Sequence, residues 1–169
     1  MENRTNSSTA LETILRNEIA ILSDLYACQK RMYECVLVRD WVLLQKETDQ
    51  ASALSDSFID LENTRLWCLK SILPDTDGSS DFYHVTAGFD ASTRETLNAL
   101  FREMKRLLVL SKSENDVFNT YISNARTLVT GMLETVLPAL EAAGLQIAFT
   151  TTAVVLAATF VAMPFLVLS

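Results

Sequence analysis

Few side chains in this sequence have the types and spacing that chemistry needs. There is one histidine, His84, and three cysteines, Cys28, Cys35 and Cys68. Asp81, Tyr83 and His84 carry the groups for proton transfer, but loop residues this close in sequence are weak evidence for an acid–base cluster. A single histidine excludes sites that need two, such as a di-iron pair of Glu-x-x-His motifs. The cysteines lie inside apolar helical patterns, far from His84, and lack metal-ligand spacing. They read as small core residues, and their odd number suits a reducing compartment. The glycines, at 78, 88, 131 and 144, are isolated, so no phosphate-binding loop is present. Acidic pairs such as Asp56 with Asp60, or Glu134 with Glu141, read as solvated helix faces. The expectation is a protein that is not an enzyme and uses no cofactor or metal.

The elements around these residues are helical. Residues 1–8 are polar and read as a frayed end, with Ser8 or Thr9 as N-cap and Glu12 in the first turn. Apolar positions then recur at Leu11, Ile14 or Leu15, Ile21 or Leu22, Leu25, Cys28, Met32 and Cys35. Spacings of three and four predict an amphipathic helix over about 9–38. The pattern breaks at Val38-Arg39-Asp40, where Asp40 is a good N-cap for a second periodic run. That run uses Trp41, Leu44, Ala51, Leu54, Phe58, Leu61, Leu66, Cys68, Leu69 and Ile72, and stops at Leu73-Pro74.

Residues 74–91 read as one long loop whose Phe82, Tyr83, Val85 and Phe89 tuck onto the helices. Ser92 or Thr93 is the expected cap of a third helix. Its stripe runs Leu97, Phe101, Met104, Leu108, Ser111, Asn115, Phe118, Ile122, Ala125, Val129, Met132 and Val136. Seven-residue spacing held over about five heptads predicts a bundle or coiled-coil helix. Ser111 and Asn115 interrupt the seam, as polar layers that fix register do. Pro138 is placed to kink this helix and Gly144 to end it.

Helix lengths imply a surface. The first two helices, about thirty residues or ~45 Å each, are separated by a break short enough for an antiparallel hairpin. The third is nearer fifty residues, ~75 Å, and should outrun the hairpin over about 126–142. The expected partner-binding residues are therefore Leu128, Val129, Met132, Leu133, Val136, Leu137 and Leu140, a row suited to receiving a helix.

The fold class is thus all-α: an antiparallel bundle or coiled coil of three long helices plus a C-terminal apolar helix, divided into a helical domain, 1–144, and an uncharged tail, 145–169. The 169 residues carry a net charge of -7 and a pI of about 4.7, so nucleic acid is not an expected partner. The polar N-terminus shows no secretory signal. After Glu141 the last 28 residues carry no charge. Leu145 to Met163 is long enough to span a bilayer, yet no Lys or Arg flanks it. Three readings stay open for this tail: a membrane anchor, a helix folded back on the third helix in place of a substrate, or a disordered or atypical end.

The segment VRDWVLLQKETDQASALSDSFIDLENTR resembles the helix–break–helix signature of the FlgN family of flagellar export chaperones. The matching positions are Arg39-Asp40, Leu43-Leu44, Lys46-Glu47, Leu54, Leu61, and Glu62 with Arg65. The stretch from Leu100 to Val136 is similar to the family's leucine seam with a polar centre, and the resemblance covers roughly 10–140. It implies a cytoplasmic chaperone that holds hook-associated (hook–filament junction) proteins before type III export by binding their C-terminal helix on its own C-terminal helix, and that also meets the export apparatus. The chain departs from the family in its tail. The family's polar tail carries a Tyr-Gly element linked to docking at the export gate, and here no Tyr follows Tyr121. A tail-anchored helical scaffold, membrane-associated through 145–169, is the alternative reading.

Overall fold

The computed structural model describes the backbone of residues 2–73 and 82–142 and the side chains of residues 6–73 and 82–136. Every regular element within them is helical: α1 (Glu2–Val38), α2 (Trp41–Ile72), the short α3 (Phe82–Thr86) and α4 (Ala91–Ala142). The chain divides into two compact units, Met1–Asp116 and Val117–Ser169.

Helix α1 begins earlier than its capping signals suggest. Ser8 and Thr9 lie inside it rather than at its start. No Gly or Pro interrupts residues 2–8, and Thr13 Oγ1 donates back to the Thr9 carbonyl at 2.9 Å, a bond that helix geometry allows. Burial begins only at Leu11 among the described side chains.

The α1–α2 connection is two residues long. Arg39 N–H donates to Val36 O at 3.2 Å and Asp40 N–H donates to Cys35 O at 2.9 Å. This pair of bonds is a Schellman closure. It places Arg39 at φ 61°, a left-handed conformation that glycine adopts at least cost. Asp40 then caps α2, its Oδ1 accepting from Leu43 N–H at 3.0 Å. At the far end of α2, Leu73 is extended (φ -138°, ψ 92°), as a residue preceding proline must be.

Helices α1 and α2 pack along their length. Cys28 meets Glu47 and Glu18 meets Arg65, so the two run antiparallel. The core on α1 is Leu11, Leu15, Leu22, Leu25, Cys28, Met32 and Cys35; α2 contributes Leu44, Ala51, Phe58, Cys68 and Leu69. Helix α4 adds Leu97, Phe101, Met104 and Leu107. Some positions differ from the sequence expectation: Leu54, Leu61, Leu66 and Ile72 are only half-buried. Leu107 rather than Leu108 is the buried leucine, and Trp41 is 57% exposed because it opens α2 at the turn.

The region expected to be one loop contains a helical turn, α3, that anchors it. Phe82 stacks on Phe101 at 4.0 Å between centroids, and Tyr83 meets the same ring edge-on at 5.7 Å. Thr86 Oγ1 donates to Asn98 Oδ1 at 2.8 Å. Helix α4 is capped by Asp90 instead of Ser92 or Thr93: its Oδ2 accepts from Thr93 N–H at 3.0 Å. That bond holds the Asp90 carboxyl below its ordinary pKa.

Candidate partner-binding surface

All three cysteines are buried. Cys28 Sγ–H donates to the Glu47 carbonyl at 3.0 Å and lies 3.2 Å from Glu47 Oε2. Burial and the adjacent carboxylate push its thiol up to about 12, so it stays protonated and unreactive. Burial raises Cys35 and Cys68 as well. Glu47 in turn accepts from Arg31 Nε at 2.9 Å, which holds its carboxyl below the usual range. His84 lines a cavity of about 300 Å³ with Ile72, Leu73, Val85, Ala87, Gly88 and Phe89. Asp56, Asp60 and Glu134 are exposed, and Asp81 and the Glu141 side chain lie outside the described residues. Among the described residues no group of three His, Cys, Asp or Glu could hold a metal ion.

Besides Glu47, charge is buried between helices at Glu18 and Arg65. Arg65 Nε lies 2.9 Å from Glu18 Oε1, and its NH2 group lies 3.3 Å from Glu62 Oε1. The guanidinium sits 5.6 Å from the centre of the Phe101 ring, a cation–π contact. Burial raises the Glu18 carboxyl, and Arg65 opposes the shift. Glu62 and Arg65 are visible in the sequence as a motif, but Glu18 is not. Its signal was register: 11, 15, 18, 22 and 25 alternate spacings of four and three, so Glu18 falls on the core stripe. Gln29 continues that register, and its Oε1 accepts from Ser111 Oγ at 3.0 Å. The polar interruption at Ser111 is thus a buried layer between α1 and α4.

The C-terminal part of α4 is built differently. From Asn119 to Val136 no side chain is buried. Leu128, Val129, Met132 and Val136 are 61%, 55%, 62% and 48% exposed. At 3.6 residues per turn these four, with Tyr121 and Ala125, fall within about 100° of arc. Ser123, Arg126, Thr127, Thr130 and Glu134 occupy the remaining arc. Leu133 lies at the edge of the stripe and is half-buried. Leu137 and Leu140 continue along α4, but their side chains lie outside the described residues. The stripe has the i, i+3, i+4, i+7 rhythm with which one helix receives another.

A second exposed apolar cluster surrounds the α1–α2 turn: Leu37, Val38, Trp41, Val42 and Leu43, of which Val42 is 84% exposed. Periodicity had assigned Trp41 to the core, because period alone does not reveal where a helix ends relative to its neighbours. Among the described residues no helix is long and apolar enough to cross a membrane. Residues 143–169, and with them the tail, lie outside the described residues.

No family model and no solved structure matches the chain. It is similar to an uncharacterized protein of Treponema pallidum (strain Nichols), with 26% identity over 126 residues, covering 73% of this chain and 74% of that protein.

Proposed function

We propose that this chain is a flagellar export chaperone that holds hook-associated proteins in the cytoplasm by seating their C-terminal helix on α4. In this reading α1, α2 and the first part of α4 form an antiparallel bundle that serves as a rigid handle. The apolar stripe of α4, from Ala125 to Val136, is the grip. The observation that supports it is the run of side chains from Asn119 to Val136, none buried, with the large apolar Leu128, Val129, Met132 and Val136 between 48% and 62% exposed. Apolar side chains so displayed gain free energy by leaving water against a partner. A chaperone of this kind also meets the export apparatus.

The test is capture of a purified hook-associated protein by the full chain, with thermal melting in parallel. Burying Met132 or Leu128 at an interface is worth about 1.5–3 kcal/mol, so Met132→Asp or Leu128→Asp should weaken capture about tenfold or more. Thr130→Asp, on the opposite arc, should leave it unchanged. Leu25→Asp, in the buried core, should lower the melting temperature far more than either stripe variant. Normal capture by Met132→Asp, or unfolding as severe as that of Leu25→Asp, removes the stripe as the site.

A further inference from the structure

We infer that the α1–α2 turn is a docking surface for a second copy of this chain, the two hairpin tips meeting across a two-fold axis. This surface is separate from the α4 stripe and does not depend on the chaperone reading.

The residues from Leu37 to Leu43 are all exposed. Leu37, Val38, Trp41, Val42 and Leu43 are large and apolar, and Val38 and Val42 are 74% and 84% exposed. Arg39 and Asp40 stand at the point of the hairpin, between the two helices. Trp41, Val42 and Leu43 follow one another in α2, so at 3.6 residues per turn they spread over about 200° of arc. The apolar surface therefore wraps a tip. It is not a stripe that one helix could cover.

The two charges select the occupant. A bilayer that received this tip would take Arg39 and Asp40 in deepest and strip the hydration from both. A partner surface of one sign would attract one of them and repel the other. A second tip satisfies both. Under a two-fold axis, a contact of residue i with residue j is repeated as j with i. Arg39 of each copy then meets Asp40 of the other, while the surrounding apolar side chains leave water together. Asp40 can accept such a donor. Its Oδ1 takes the Leu43 N–H, and a carboxylate has further lone pairs for a guanidinium. The identity of residue 39 points the same way. At φ 61° a glycine would close the turn at less cost, so backbone geometry does not account for an arginine there, whereas a facing carboxylate does. The patch is smaller than the roughly 20–30 residues a side of a standard interface, so the dimer is weak, with Kd on the order of 10–100 µM.

The experiment is analytical ultracentrifugation of the full chain from about 1 to 300 µM, over which monomer should pass to dimer. Arg39→Asp places two carboxylates at each tip and should weaken association about tenfold or more. Aspartate adopts φ 61° more readily than arginine, so this variant keeps its fold. Asp40→Arg makes the tip doubly basic and should weaken self-association equally, with thermal melting run alongside because the N-cap of α2 is lost. Mixed in equal amounts, the two variants should associate again as a heterodimer, since every facing pair is then opposite in sign. Val42→Asp should weaken association in either background. If the lost cap unfolds Asp40→Arg, the Arg39→Asp and Val42→Asp results still decide. A chain that stays monomeric throughout overturns the inference. So does a mixture of folded variants that fails to associate. A dimer that survives Arg39→Asp but is lost in Met132→Asp overturns it by putting the second copy on the α4 stripe. Flotation of a monomeric chain with phosphatidylcholine–phosphatidylglycerol vesicles, abolished by Val42→Asp, overturns it in favour of a lipid surface.

Discussion

Arg65 places its Nε 2.9 Å from Glu18 Oε1 with the two side chains only 7% and 0% exposed, which ties α2 to α1 by an ion pair within the core. Such a pair is strained between desolvation and attraction. Removing one partner leaves a buried charge without compensation, whereas replacing both with apolar groups is often neutral or stabilising. Arg65→Met should therefore cost about 3–5 kcal/mol in urea unfolding. Adding Glu18→Leu to Arg65→Met should recover most of that loss. A double variant as unstable as the single one would mean that the loss comes from packing around Phe101 and not from the stranded carboxylate.

Glu47 should give the hairpin an acid-sensitive contact. Its folded pKa lies below the ordinary 4.5, chiefly through the hydrogen bond from Arg31. A carboxylate with a lowered folded pKa stabilises the fold above its unfolded pKa, and that contribution is lost as pH falls through the folded value. Wild type should therefore be more stable than Glu47→Gln near neutral pH, and the gap should shrink as pH drops below 4.5. Chemical denaturation across that range measures it. A gap independent of pH would show that Glu47 acts through Cys28 and packing alone.

Glu18 should respond in the opposite sense. Burial raises its folded pKa above 4.5 against the opposing pull of Arg65. A raised pKa contributes stability that is present below the unfolded value and lost as pH rises through the folded one. The stability of wild type relative to Glu18→Gln should thus fall as pH rises above 4.5. The same titrated denaturation reads this, and a gap that widens with pH would contradict it.

Arg39 occupies a backbone conformation, φ 61°, that costs an L-residue free energy and glycine little. Arg39→Gly should stabilise the hairpin by about 1 kcal/mol, and Arg39→Val should destabilise it by at least as much. Urea midpoints at constant m-value decide the matter.

Gly131 sits in the middle of α4, and a Cβ built there meets nothing within 4 Å. Gly131→Ala should therefore favour the helix by about 1 kcal/mol locally. Slower amide exchange over residues 127–135 is the expected readout. An unchanged rate would mean that this stretch opens by a route that does not unwind Gly131.

What the sequence determined was local. Spacings of three and four repeat along α1, α2 and α4 because 3.6 residues complete a turn, and that period is written in side-chain type alone. The breaks at Arg39-Asp40 and Leu73-Pro74 were legible for the same reason: a capping carboxylate and a proline act on their immediate neighbours. The register even reached the buried charges, since Glu18, Glu47 and Arg65 all fall on the core positions of their helices. What only the tertiary structure decided was who meets whom. That Arg65 pairs with Glu18, 47 residues away, and that Ser111 pairs with Gln29, 82 residues away, depends on how the helices are aligned. Likewise Trp41 and Met132 follow the same apolar rhythm as Leu25, yet they are exposed and Leu25 is buried. Periodicity says which face of a helix is apolar; only a neighbouring element determines whether that face is core or surface.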